Sequence, residues 1–316
     1  MSLMTKEKPY NTLNAFYRNK FGKKVFKVSL NGGFTCPNKD GKSGYGGCIY
    51  CSESGSGDFA GNVDLSLDVQ FNQVKAMMHH KWSDGLYIAY FQANTNTYDS
   101  IDRLRLLYET AISLDENIVG LSIGTRCDAL DEGIYDLLSE LNEKTYLQVE
   151  LGLQSIHDKT SEFINRGHSL ECFGKAVIEL RKRNIEVVVH IINGFHIETK
   201  KDMLETVRYL NTLDIQGIKI HLLHIMKNTK LGNMYLKEPF KMLTLEEYAD
   251  ITASQIEILN PSIIIHRLTG DAPRDQLIAP NWSLKKFVVM NEIDKLLRDK
   301  GSYQGIHFQM QKDSKS

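Results

Sequence analysis

Proline is scarce in this chain: there are six in all, and none between residues 38 and 238. Nothing in that stretch breaks a helix or confines a strand to an edge, so regular elements can follow one another without interruption. Long apolar runs are absent as well. The longest, such as residues 186–192, fall far short of the roughly 18 residues that a membrane-spanning helix needs. Residues 1–10 are polar and lysine-rich, without the apolar core of a signal peptide, and Met-Ser-Leu ahead of Met4 reads as a cloning remnant. Charge of one sign is also lacking. The formal net charge is −1, from 38 Lys+Arg against 39 Asp+Glu, which argues against holding nucleic acid by bulk electrostatics but leaves room for a local basic groove. Five cysteines is an odd count, and without a secretory signal it indicates a reducing compartment rather than a disulfide framework. At 42% hydrophobic and 24% charged residues the composition is that of a folded globular protein, which excludes disordered and fibrous classes. The expectation is a cytoplasmic protein with no membrane partner.

What is present is concentrated. Ten of the 23 glycines lie between Gly22 and Gly61, marking a long flexible loop near the start. Apolar, β-branched segments at 24–30, 86–91, 119–123, 146–153, 187–192 and 218–223 read as six strands. Helical spacing separates them: Leu67, Phe71, Val74 and Met78 after the first; Ile101, Leu104, Tyr108 and Ala111 after the second. Ile134, Leu137, Leu138 and Leu141 follow the third strand, and Phe173, Val177 and Leu180 the fourth. The helix after the fifth opens on Thr199-x-x-Asp202, a capping-box pattern. Such alternation predicts an α/β fold with a parallel sheet covered by helices, either an open doubly wound sheet or a partial barrel. Pro239 marks a boundary, giving an N-terminal extension (1–21), a core (22–235) and a small α+β C-terminal extension (236–316). That extension holds a helix from Thr244-x-x-Glu247, a strand at 263–268 and a helix at 283–298.

Both architectures place the active site at the carboxyl ends of the strands, where the unusual residues fall. Cys36, Cys48 and Cys51 share the loop after the first strand, spaced C-x11-C-x2-C, with Gly41, Gly44, Gly46 and Gly47 between. Thiolates bind zinc or iron–sulfur clusters. A closed zinc site wants four ligands, and the nearest further candidates, His79 and His80, sit on a predicted helix. Three thiolates on a glycine-rich loop suit a four-iron cluster with one iron left open. Glu150 lies inside a strand (VELGL), where an acid needs a partner or a ligand, and Arg126 is the expected partner. Asp128 is a further candidate beside the reacting centre. Cys172 reads as a small core residue, and Cys127 sits at the active end of the third strand.

The phrases FKVSLNGGFTCPNKDGKSGYGGCIYCSESGSGDFAG, VELGLQS, FINRGHS, HLLHIMKNTKL and HRLTGDAPRDQLIAPNWSLKKF carry a family resemblance. From about Phe16 to Gly305 the chain resembles the radical S-adenosylmethionine (SAM) superfamily, in its elongator-catalytic-subunit-like branch and the YhcC/YtqA group. The resemblance implies a partial (β/α)6 TIM-like barrel and a 4Fe-4S cluster on Cys36, Cys48 and Cys51. The open fourth iron would take SAM, whose reductive cleavage gives methionine and a 5′-deoxyadenosyl radical. It also implies a reducing partner such as flavodoxin or ferredoxin. Where many relatives have a Gly-Gly-Glu segment for the methionine end, this chain departs, with Gln92, Asn94 and Thr95 in a polar run that also suits a turn before a helix. Arg166 resembles the arginine that pairs with the SAM carboxylate in coproporphyrinogen-dehydrogenase-like relatives. Gln154, with Ser155 beside it, and His190 match ribose-binding positions, His190 standing where those relatives carry an acid. The polar stretch His266, Arg267, Thr269, Asp271 and Arg274 is expected to cover the barrel's open side and line the substrate pocket, Arg267 and Arg274 receiving an anionic group. Two other readings stand beside a radical SAM enzyme of unknown substrate: a tRNA-modifying member of that family, and a non-catalytic zinc or iron–sulfur structural protein.

Overall fold

A computed structural model describes residues 3–309 except 53, 54, 56–59, 81 and 83. The chain opens with α1 (Leu13–Phe21), β1 (Val25–Leu30), the cysteine loop, α2 (Leu67–His79) and β2 (Leu86–Phe91). It continues through α3 (Ile101–Ile112), β3 (Ile118–Thr125), α4 (Glu132–Lys144), β4 (Tyr146–Gln154), α5 (Asp158–Phe163) and α6 (Leu170–Lys182). Next come β5 (Glu186–Asn193), α7 (Lys200–Leu210), β6 (Gly217–Leu222), the short β7 (Ile225–Met226) and α8 (Lys230–Lys237). The last elements are α9 (Leu245–Ile258), β8 (Ile264–Arg267), β9 (Leu277–Ala279) and α10 (Lys286–Asp299). Side-chain caps start the helices: Ser66, Ser100, Asp131 and Ser169 each accept from a first-turn N–H, and Thr199 and Thr244 complete the predicted capping boxes with Asp202 and Glu247. No helix among the described residues is long and apolar enough to cross a membrane.

Seven strands form one parallel sheet in the order β1-β2-β3-β4-β5-β6-β8, a curled half-barrel. The sequence predicts six units and assigns the strand near 263–268 to the extension; it is the sheet's seventh strand. β6 would otherwise expose an edge of unpaired backbone groups, and Ile264 N–H donates to Gln216 O (3.0 Å) to begin the pairing. Period-2 alternation divides each strand between two environments. Leu147, Val149, Leu151 and Leu153 of β4, Val187, Val189 and Ile191 of β5, and Ile218, Ile220 and Leu222 of β6 face the helices as one apolar core. The opposite face is polar, and Glu150 is at its centre. Its carboxylate accepts from Lys27 Nζ of β1 (2.6 Å), Tyr90 Oη of β2 (2.8 Å), Ser122 Oγ of β3 (2.9 Å) and His190 Nε2 of β5 (2.7 Å), and from Lys219 Nζ of β6.

Those bonds require the curl. Five strand spacings in a flat sheet would separate β1 from β6 by about 24 Å, beyond what two lysines can bridge to one carboxylate. At the foot of the barrel, Tyr17 Oη of α1 donates to Gln148 Oε1 (2.9 Å) beneath this cluster. α1 touches both β1 and β8, and Thr12 bridges to Ile265, so the N-terminal helix spans the seam between the two sheet edges.

Glu150 is 1% exposed. Burial pushes its pKa up, but Lys219 and Lys27 outweigh it and hold the carboxyl well below its usual value of 4.5. Its stabilisation is therefore full above the unfolded value and is lost as pH falls below it. Glu150→Gln should cost about 3–5 kcal/mol in urea unfolding at pH 7, because it strands the buried Lys219 and the half-buried Lys27. The difference from wild type should shrink in the same measurement below pH 4 or so.

Candidate active site

The carboxyl ends of the strands surround a cavity of about 300 Å³ lined by Cys36, Cys48 and Cys51 on one side and by β6 and the loop after β8 on the other. The cysteine loop is fastened to the turn that follows α5. Ile49 N–H donates to Ile164 O (3.0 Å), Asn38 Nδ2 to Asn165 O (2.6 Å), and Asn165 Nδ2 to Gly47 O (2.8 Å). Gly167 is needed at the join: its φ is +81°, and a Cβ there would lie 2.6 Å from Asn38 Oδ1.

All five cysteines are free of disulfides. Cys48 is pushed down to about 6, chiefly by a hydrogen bond from Cys51, with burial opposing and Arg126 and Asn38 assisting. Thiolate at neutral pH is the ligand form.

The expected Glu150–Arg126 pair does not form. Arg126 binds Asp128 through two bonds of 2.8 Å, from Nε and from one terminal nitrogen. A partner two residues away in a turn is reached without crossing the barrel, while Glu150 is already saturated by strand side chains. Arg126 lines the cavity and its charge faces Cys48 and Cys36; Asp128 stands outside the lining and orients it.

Gln92, Asn94 and Thr95 all line the cavity. Asn94 has φ +60° and accepts from Lys39 Nζ (3.0 Å), and Ser29 Oγ donates to Gln92 Oε1 (3.2 Å). The register shift between β4 and β5 at Gly152/Gln154 leaves Gln154 at φ +67°, a strained conformation that turns its side chain into the cavity. Ser155 goes the other way: its hydroxyl donates to the buried Glu198 (2.5 Å), so it is a structural residue. Arg166 is 2% exposed, with Nε on His168 O (3.2 Å) and one terminal nitrogen shared by Leu153 O (2.7 Å) and Ser155 O (2.5 Å). Its other terminal nitrogen is buried and has no partner, and the residue lines the cavity. His190 lines the cavity while bound to Glu150.

In the C-terminal stretch, Arg267 and Asp271 line the cavity and lie 3.4 Å apart. His266 is outside the lining, and Arg274 is exposed and also outside it. Cys127 is 4% exposed and hydrogen-bonds the Cys172 thiol, which together with burial pushes its pKa up. Sequence reasoning missed Lys27, Tyr90, Lys219 and His221, whereas His224 lines the cavity at the end of the sixth strand, as its position in the sequence suggests. A signal existed for Lys219 and His221: they alternate with Ile218, Ile220 and Leu222, the same lone-polar-in-a-strand pattern that singled out Glu150.

A family profile described as the radical SAM superfamily matches residues 36–210. The chain belongs to that superfamily. The superfamily's C-terminal domain matches residues 215–299. Over 303 residues the chain is 50% identical to YtqA of Bacillus subtilis, covering 96% of this chain and 94% of that protein. It is also 26% identical over 185 residues to a tRNA uridine(34) acetyltransferase of Methanocaldococcus jannaschii, 57% of this chain and 32% of that protein. Among solved structures, archaeal Methanocaldococcus infernus Elp3 with its N-terminus deleted aligns at a TM-score of 0.65 and 18% identity, covering 89% of this chain and 64% of the other. That likeness is one of fold.

Gly167→Ala should force the turn away from Asn38 at a cost of about 1–3 kcal/mol. Iron retained after anaerobic reconstitution, read by colorimetric assay, should fall while far-UV circular dichroism stays that of wild type.

Proposed function

We propose that the protein is a radical SAM enzyme that holds a 4Fe-4S cluster on Cys36, Cys48 and Cys51 and cleaves SAM reductively to act on a substrate bound in the same cavity. The observation that carries the reading is the meeting, in one cavity, of three thiols with an arginine nitrogen that lacks a partner. When bound, the cluster supplies the electron, taken from a donor such as flavodoxin or ferredoxin, that splits SAM into methionine and a 5′-deoxyadenosyl radical. The chain's own part is to bind and orient. The unpartnered nitrogen of Arg166 faces the SAM carboxylate, its other nitrogens being fixed on Leu153, Ser155 and His168. Gln92, Asn94 and Thr95 offer acceptors to the ammonium. Gln154 and His190 hold the ribose hydroxyls, His190 kept neutral by burial, with Lys219 pushing its pKa the same way. The loop after β8 covers the opening and excludes water.

A second reading, that the substrate is a tRNA, is supported by the similarity to a tRNA uridine(34) acetyltransferase. Net charge gives it no help, so a substrate tRNA would be held by local contacts at the barrel mouth.

Anaerobic reconstitution tests the reading. Wild type should turn brown, absorb near 400 nm and release methionine and 5′-deoxyadenosine on reduction with dithionite; a colourless zinc protein would refute it. Replacing any one of Cys36, Cys48 or Cys51 with Ala should abolish both iron loading and SAM cleavage, while Cys127→Ala and Cys172→Ala keep iron content. Gln154→Ala should keep the chromophore and weaken SAM binding about 10-fold, measured by equilibrium dialysis.

A further inference from the structure

The lining of the cavity carries more cation than anion, and part of the surplus lies on β6 and β8. Parallel register sets His190 of β5 beside Lys219 of β6, and Lys219 beside Arg267 of β8. Three nitrogen-bearing side chains on three neighbouring strands therefore form a row at one level of the sheet. His221, two residues further toward the carboxyl end of β6, and His224 of the following loop stand above that row and line the same cavity.

Glu150 is one carboxylate set against Lys27 and Lys219. The next carboxylate, Asp271, is divided between Arg267 (3.4 Å) and Lys286 (2.8 Å). Lys219 is 8% exposed, and cationic charge taken out of water without a matching anion is costly. The imbalance shows in Lys219 itself, whose pKa is pushed down to about 7: burial is the largest cause, and Lys27 and Arg267 act with it against Glu150. The two histidines add hydrogen-bonding capacity without charge. Burial holds His221 well below its usual range and His224 down to about 4, and the Nε2 atoms of both are buried and unbonded. Their rings are held in place rather than loose: a Cβ on Gly270 would stand 3.3 Å from His221 Nδ1 and 3.4 Å from His224 Cε1, so the loop after β8 lies directly on both.

We propose that Lys219, Arg267, His221 and His224 form a receptor for an anionic group of the substrate, a carboxylate or a phosphate. The assignment rests on reading the cavity as the radical SAM active site, and it narrows the substrate class. An incoming oxyanion takes charge-assisted bonds from the lysine and arginine and neutral bonds from the imidazoles. It also supplies the counter-charge that Glu150 alone does not. The site differs from one built on Arg274, whose side chain is exposed and outside the lining.

Calorimetric titration of the anaerobically reconstituted, SAM-bound protein tests this, with sodium acetate in one arm and inorganic phosphate in the other at constant ionic strength. At least one anion should bind saturably at a single site, and the arm that binds names the group. Lys219→Gln and Arg267→Gln should each weaken that binding about tenfold or more, whereas Lys175→Gln on the exposed face of α6 should not. Arg267 is 36% exposed, so its substitution reports on binding even if the Lys219 variant folds poorly. Failure of wild type to bind either anion, or equally tight binding by both variants, would overturn the receptor. Iron and SAM occupancy are measured in the same samples. Protein that loads both yet binds neither anion refutes this inference alone, and protein that loads neither refutes the reading beneath it.

Discussion

One buried carboxylate organises the inside of this barrel. Glu150 collects a donor from each of β1, β2, β3, β5 and β6, and no flat sheet would allow those five side chains to meet. The apolar core on the other face supplies most of the driving force for folding, because it is where the area removed from water lies. Glu150 instead sets shape. Each strand must arrive at one height and one inclination for its polar side chain to reach the centre, and that choice of height decides which residues emerge at the carboxyl ends.

The cysteine loop depends on this arrangement at one remove. Its own backbone bonds are local turns, so its position also depends on what it leans on, above all the turn containing Asn165, Arg166 and Gly167. Arg166 is in turn locked onto the carbonyls of Leu153 and Ser155 at the end of β4, the strand that carries Glu150. Thiols and guanidinium therefore move as one piece with the barrel's central strand. This is the economy of a site built on strand ends: loops differ in length and flexibility, yet their anchor points are common.

Much of this was readable in the sequence, and the division between what was and was not is physical. Strand and helix periodicity and the two capping boxes are local properties, and the structure follows them closely. Glu150 was conspicuous because a carboxylate within a buried strand has to be satisfied. Its partners were not, because Lys27 and Lys219 lie far away in the chain and only sheet register brings them near. Arg126 shows the same limit from the opposite direction, since a nearby aspartate captured it before any long-range partner was reached. Ser155 follows a register shift that reverses which way the chain faces, and alternation carried past such a shift misplaces every later side chain. The seventh strand is short and stands behind a helix, which gives it the look of an appendage.

The seam bridged by α1 has a consequence for how the molecule is made. Thr12 pairs with Ile265, and the backbone at Pro9 accepts from Gln304, so segments far apart in the chain complete one another. Contacts of such sequence separation form slowly, because the whole intervening loop must be ordered before they contribute. Until β8 is in place, α1 has only one of its two sheet edges to rest on, and the polar interior stays open at its foot. The barrel is thus closed by its seventh strand, and a chain interrupted before β8 would leave the edge of β6 unpaired and Lys27 and Glu150 reachable by water.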